Sequence, residues 1–239
     1  MKDWREDCLQ RLKRSSQCRA QVVNELGSIV RGLGFDYCSY VMHVPLPLTR
    51  PTVVWSNTYP APWLECCCAH GFHTIDPLLQ QLSHDPTPVI WSTDMFTQEP
   101  AFWQEARAQG IRHGWTIATH GSRARTMGVL SLSRSEGALT VCELGKVEAQ
   151  LVWLSHVTHD AISEVEMRTL HAPIERDLSL REREVLRWTA AGKTAAEIGR
   201  ILGISVRTVN FHIAGILAKF NVVNKTQAVM TAVMLGMLY

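Results

Sequence analysis

Helix punctuation is packed more densely into residues 178–223 than anywhere else in this chain, and it fixes what that stretch can fold into. The stretch reads LSLREREVLRWTAAGKTAAEIGRILGISVRTVNFHIAGILAKFNVV. Ser179 followed three residues later by Glu182 forms a capping box, and Gly192 supplies a left-handed exit for the helix between them. Thr194 and Glu197 repeat the box, and Gly203 repeats the exit two residues before the next cap, Ser205, whose helix can run to about Lys219. Asn224 and Gln227 make a further box for a last helix carrying Ala228, Val229, Ala232, Val233 and Leu235. Short helix, tight turn, longer helix is the helix-turn-helix arrangement.

The two faces of the longer helix say what it is for. Val206, Val209, Ile213, Ile216, Leu217 and Phe220 fall near helical spacing and predict a buried stripe, while Arg207, Asn210, Phe211 and Ala214 lie together on another side. A bundle helix needs only the first of these faces, so charge has to decide. From residue 178 onward eight Lys+Arg stand against three Asp+Glu, net +5, while the rest carries 16 against 19, net −3. A basic C-terminal quarter on an acidic body is the footprint of a segment that faces phosphates.

Here the residues carry a family likeness. Glu182, Leu186, Gly192, Lys193, Glu197, Ile198, Leu202, Ser205, Thr208, Val209, His212 and Lys219 stand in one fixed register that resembles the LuxR-type helix-turn-helix signature.

The chain has 239 residues, room for one domain of about 170 and a second of about 65. A hydrophobic content of 46% permits a full core, and no apolar run approaches the roughly 20 residues of a membrane span. The N-terminal MKDWREDCLQRLKR is charged and has no signal-peptide apolar segment, so a cytoplasmic protein with no membrane association is expected. Seven cysteines, three of them consecutive at Cys66, Cys67 and Cys68, have no zinc spacing and read as reduced thiols.

Ahead of the basic quarter, residues 3–14 and 19–33 have helical periodicity, with Gly34 ending the second helix. Residues 36–44 and 52–56 read as strands either side of a Pro-rich loop, 60–68 as a short helix, and Asp76-Pro77 as the start of a helix through Leu82. A short strand at 89–91, a helix at 101–109 closed by Gly110, and a hairpin of 115–119 with 127–133 around GSRAR follow. A long helix from 140 to about 162 then leads to a linker, giving expected domains of 1–163 and 178–239 with 164–177 between them. Strands bracketed by helices predict an α+β chain: an N-terminal α-β-α sandwich and a C-terminal all-α helix-turn-helix domain. No internal repeat or low-complexity tract is present.

The N-terminal part is dense in aromatics: Trp55, Tyr59, Trp63, Phe72, Trp91, Phe102, Trp103 and Trp115. Some of these fill a core in any domain of this size. An apolar cavity with a few fixed polar groups is also the general form of a small-molecule site, and Tyr59, Trp63 and Asp76 supply donor, donor and acceptor. The stretches PLPLT, SNTYPAPW, IDP, VIW, FWQEA, GIRHGW and SLSRS make this part similar to the acyl-homoserine-lactone receptor domain of LuxR-type quorum-sensing regulators. The resemblance covers nearly the whole chain. It implies that Trp63 donates to the lactone carbonyl, Asp76 accepts the ligand's amide N–H and Tyr59 donates to the acyl carbonyl. It also implies that Trp91 and Phe102 wall the lactone end and that Ser131 or Ser39 adds a second hydrogen bond. Asp76 has a competing duty as the helix cap before Pro77, and the two roles are compatible.

The chain departs from the family pattern in places. Cys67 stands where a tyrosine is common, beside the acyl chain, so chain-length preference does not carry over. Asn210 replaces a frequent lysine and suits bidentate reading of adenine, while Phe211 and Ala214 suit thymine methyls. Gly215 replaces a frequent asparagine. Lys193, Thr194, Arg207, Thr208, Lys219 and Lys225 are the expected phosphate contacts, with Asn210, Phe211 and Ala214 on the bases.

The family implies a mechanism in which an N-acyl homoserine lactone completes the N-terminal core and stabilises the folded form by mass action. The liganded chain then forms a homodimer on double-stranded promoter DNA, at half-sites about one helical turn apart. RNA polymerase is a further candidate partner, and no cofactor or metal is expected. Two rivals compete with this reading, alongside a ligand-independent regulator. A phosphorylation-gated response regulator needs acidic residues after a first strand, whereas Asp3, Glu6 and Asp7 sit on an expected helix. An enzyme with a Cys66–Cys68 thiol and His70, His73 or His113 as base lacks any triad spacing, and adjacent helical cysteines point in different directions.

Overall fold

The computed structural model describes residues 3–44, 52–70, 82, 87–97, 99–121, 126–170 and 178–238. Two compact units emerge. The first takes in Met1–Val44, Val53–Gly121 and Thr126–Val165, and the second contains Glu166–Tyr239.

The first unit opens with α1 (Trp4–Arg14), capped by the Asp3 carboxylate, and α2 (Arg19–Arg31). Next come β1 (Tyr37–Val44), β2 (Thr52–Asn57), α3 (Ala61–His70), β3 (Val89–Ile90), a 3-10 turn over Thr93–Phe96, and α4 (Pro100–Ala108). β4 (His113–His120) and β5 (Met127–Arg134) form the expected hairpin, and α5 (Val141–Leu170) follows, its residues up to Val165 belonging to this unit. The strands make one sheet in the order β2-β1-β5-β4-β3, antiparallel in the β1–β5, β5–β4 and β4–β3 pairs.

Period-2 alternation divides the sheet into two faces. Cys38, Tyr40 and Met42 of β1 and Trp115 and Thr119 of β4 turn toward the helices on one side. Cys38 meets the Val23 carbonyl on α2, while Tyr40, Met42, Trp115 and Thr119 meet His159, Ser163, Glu148 and Ser155 on α5. Tyr37 and the residues Ser39, Thr116 and Ser131 belong to the opposite face, over which α3, α4 and the 3-10 turn pack. This is the expected α-β-α sandwich. The long helix extends past its expected end near 162 to Leu170, into the segment expected as linker. SEVEMRTL at 163–170 contains neither glycine nor proline, and the first breaker in the sequence is Pro173.

The described elements of the second unit that follow are all helices: α6 (Leu180–Ala190), α7 (Ala195–Leu202), α8 (Val206–Phe220) and α9 (Lys225–Met234). Ser179–Glu182 and Thr194–Glu197 are both reciprocal capping boxes, Ser205 caps α8, and Gly203 is left-handed at φ 65°. The fourth start differs in detail. Asn224 accepts from the Gln227 N–H, but the Gln227 side chain takes the Val223 N–H rather than that of Asn224. The core joins Val185, Leu186, Ile198, Val209, Ile216, Phe220, Ala228 and Ala232. Val206, expected in the buried stripe, is 46% exposed. It is the first residue after the cap, and the stripe begins one turn later at Val209.

Candidate functional site

Three short hydroxyl side chains form a row across the centre of the sheet face beneath α3 and α4. Ser131 on β5 stands opposite Ser39 in one register and opposite Thr116 in the other. Thr116 donates to Ser131 at 3.0 Å. Tryptophans reach this row from both edges: Trp55 on β2 donates its indole N–H to Ser39 at 2.9 Å, and Trp91, just after β3, donates to Thr116 at 2.8 Å. Trp91 can lie this low because residue 114 is glycine, where a Cβ would fall inside the indole ring.

An aromatic cluster sits over the row. Trp63 and Cys67, one turn apart on α3, are buried with Phe96, Trp103, Ala106 and Ile111, and Tyr37, Tyr59 and Phe102 pack against them. Trp63, 3% exposed, meets Phe102 edge-on at 5.3 Å between centroids. Phe96 stacks on Trp103 at 4.2 Å and 4°, and Trp91 stands edge-on to both. Of the residues expected around a ligand, Tyr59, Trp63, Cys67, Trp91 and Phe102 therefore converge in one cluster, with Ser39 and Ser131 beneath it. Asp76 lies outside the described residues, as does the helix expected after it up to residue 81.

Trp55, Thr116, Phe96 and Trp103 belong to the same assembly, and sequence reasoning did not assign them to it. Trp55 and Trp103 were visible only as aromatic density. Thr116 had a usable signal, because hairpin pairing with alternate-residue phase puts it beside Ser131.

The DNA-facing expectations fall into two groups. Arg207, Asn210, Phe211 and Ala214 are all exposed on one side of α8, Phe211 at 73%, and Lys225 is exposed at the start of α9. The others have structural partners. Thr208 shares a hydrogen bond with Ser205, Thr194 serves the α7 capping box, and Lys193 lies 3.8 Å from Glu197. Lys219 donates to Glu182 at 2.6 Å. Burial alone would raise the Glu182 carboxyl, but the Lys219 ammonium and the Ser179 N–H and hydroxyl outweigh it and hold the carboxyl below its ordinary range. Gly215 makes room for this carboxylate, since a Cβ there would lie 3.1 Å from Glu182 Oε1.

Comparison with known proteins decides the family. Residues 19–162 match the autoinducer binding domain, and residues 176–232 match the bacterial regulatory proteins of the luxR family. The chain belongs to the LuxR-type autoinducer-binding regulators. It is 40% identical to the transcriptional activator protein SolR of Ralstonia nicotianae, over 94% of each chain. The crystal structure of Escherichia coli SdiA superposes with a TM-score of 0.83 at 33% identity, covering 99% of this chain and 98% of that one. SdiA in complex with octanoyl-rac-glycerol gives 0.81 at 34%, covering 100% and 99%.

LuxR-type autoinducer-binding proteins are transcription regulators rather than enzymes, and they use a signal ligand in place of a cofactor. The cysteine triplet agrees with that. Cys67 is buried in the cluster, Cys68 is exposed, and burial followed by the Glu105 charge pushes the Cys66 thiol up, the reverse of an activated thiolate. No group of three His, Cys, Asp or Glu among the described residues is placed to hold a metal. No single helix among them is long and apolar enough to cross a membrane.

Proposed function

We propose that this LuxR-type regulator binds an N-acyl homoserine lactone between its sheet and helices α3 and α4, pairs with a second copy, and then reads promoter DNA through α8. The observation that carries the reading is the aromatic cluster packed over a row of sheet hydroxyls, which puts apolar rings and a few fixed polar groups side by side. Trp63 and Tyr59 donate to the lactone and acyl carbonyls, Asp76 accepts the amide N–H, and Trp91 and Phe102 wall the ring. Cys67 lies beside the acyl chain. Ser39 and Ser131 each accept one bond in the row and keep a hydroxyl proton to give the ligand.

Residues 1–163 form the signal domain, 178–239 the DNA-binding domain, and 164–177 the connection, in a protein that works in the cytoplasm. On DNA, Asn210, Phe211 and Ala214 meet base edges while Arg207, Lys193, Thr194, Thr208 and Lys225 hold phosphates. Lys219, tied to Glu182, contacts phosphate only by sharing its protons. RNA polymerase is the partner wherever the site lies beside a promoter it can activate. Arg207→Ala should weaken binding to all sequences alike and lower the salt slope by about one. Asn210→Ala should relax the preference at one base pair by about 1–3 kcal/mol. Quantitative binding to mismatched sites at two salt concentrations separates the two.

The ligand reading is tested by expressing the chain with and without a panel of acyl-homoserine lactones and identifying by mass spectrometry what co-purifies. Intact lactone, lost in Trp63→Phe with Asp76→Asn, supports the reading and names the chain length. Good soluble yield with no lactone from any panel member sinks it. A second ligand chemistry earns a place in the panel on one observation: the similar SdiA is seen in complex with octanoyl-rac-glycerol, an acyl chain on a polar head without a lactone ring.

A further inference from the structure

The tryptophans around the sheet differ in what their indole N–H groups do. Trp55 gives its proton to Ser39, Trp91 to Thr116 and Trp115 to Glu148. Trp103 is only 8% exposed, and its Nε1, shielded from solvent, finds no hydrogen-bond partner among the described residues. Native proteins pair buried polar groups in the great majority of cases, and a buried donor without an acceptor destabilises the state that contains it. Nor can this donor easily turn away. The ring lies flat against Phe96, stands edge-on to Trp91 at 6.3 Å, and has the Arg107 guanidinium 6.0 Å from its centroid.

We propose that the Trp103 indole N–H is a further hydrogen-bond donor to the bound signal, directed at an oxygen of the ligand's polar head. The proposal rests on the ligand reading given above. An indole N–H donates and never accepts, so its partner must be a carbonyl or ring oxygen, not the acyl tail. Trp91, in edge contact with Trp103, and Phe102, its chain neighbour, are the residues assigned to the lactone end. A donor fixed before the ligand arrives loses no side-chain freedom on binding, which favours a ligand whose oxygen comes to it.

Trp103→Phe keeps an aromatic ring and deletes the donor. The full-length chain and this variant are titrated with the lactone that binds the wild type best, and with the cyclopentylamide of the same acyl chain, which lacks both ring oxygens. Expected is a roughly tenfold loss of lactone affinity in the variant, with a clearly smaller loss for the cyclopentylamide. Equal affinity of variant and wild type for the lactone overturns the proposal. So does an equal loss for both ligands, which would mean that Trp103 only packs, or that its N–H rests on the Trp91 ring.

Should the variant fail to fold, the wild type labelled with 15N-tryptophan answers the same question. Two indole N–H signals, those of Trp63 and Trp103, should lie further downfield in the lactone complex than in the cyclopentylamide complex, and a single such signal overturns the proposal. A wild type that binds no lactone at all brings down the proposed function, and this proposal with it.

Discussion

The two faces of the sheet are closed by different kinds of contact. Under α5 the closure is polar and directional. Tyr40 meets His159 Nδ1 at 2.6 Å, His159 Nε2 meets Thr126 at 3.0 Å, Thr119 donates to Ser155 at 3.1 Å, and Trp115 donates to Glu148 at 3.3 Å. Under α3 and α4 a hydroxyl row is covered by stacked and edge-on rings, and one indole N–H is left over. Buried hydroxyls without a partner among the described residues also occur at Thr158 on α5 and Ser133 on β5, but a hydroxyl proton can rotate, whereas a stacked indole cannot. Paired hydrogen bonds fix a helix at one position, while apolar contact is non-directional and can re-form around an inserted molecule. The α5 face is a finished core, and the other is the face proposed to take the ligand.

Breaking the finished face should hurt most, and a ligand should not help. Trp115→Ala removes a side chain with no exposure and should cost about 3–5 kcal/mol. The stabilisation added by the proposed lactone should stay the same, as measured by urea unfolding with and without it. If the ligand's contribution vanishes in this variant, the two faces are not independent and the contrast fails.

Acid should loosen the same face. Burial first, then the charges of His156 and His120, lower the His159 pKa to about 4, against about 6.5 in an unfolded chain. Between those values the unfolded chain binds a proton that the folded chain refuses. The stability tied to neutral His159 is therefore complete above pH 6.5 and is lost as the pH falls toward 4. That amounts to about 2 kcal/mol at pH 5 and about 3 kcal/mol at pH 4. His159→Gln should flatten this part of the profile when urea midpoints are followed from pH 7 to 4.5, and an unchanged slope would assign it to other groups.

The contrast also explains what could be read from the sequence. Every device of the helix-turn-helix is local: Ser179 with Glu182, Thr194 with Glu197, and the left-handed Gly203 act across three or four residues, so spacing alone revealed them. The exit of α8 was less visible, because a non-glycine residue, Asn221 at φ 51°, takes the left-handed position. The polar closure of the sheet was not legible. Tyr40 and His159 are 119 residues apart, and Trp115 and Glu148 are 33 apart, so no local pattern pairs them. The aromatic face was half legible. Trp63 and Tyr59 stood out as aromatic donors and Phe102 through family resemblance, but that Trp91 spends its N–H on Thr116 while Trp103 keeps its own depends on ring orientation, which spacing does not encode.

The smallest expected effect discriminates best between the faces. Thr116→Val keeps shape while taking an acceptor from Trp91 and a donor from Ser131. Because Trp91 is half-buried, the cost without ligand should be about 1 kcal/mol, the low end for an unpaired group. With the proposed lactone present that cost should shrink, since the released Trp91 N–H can turn to a ligand oxygen. The lactone should therefore shift the urea midpoint further in Thr116→Val than in the wild type. A shift equal to the wild type's would mean that the hydroxyl row is as fixed as the Tyr40–His159 contact, and that adaptability resides in the aromatic cover alone.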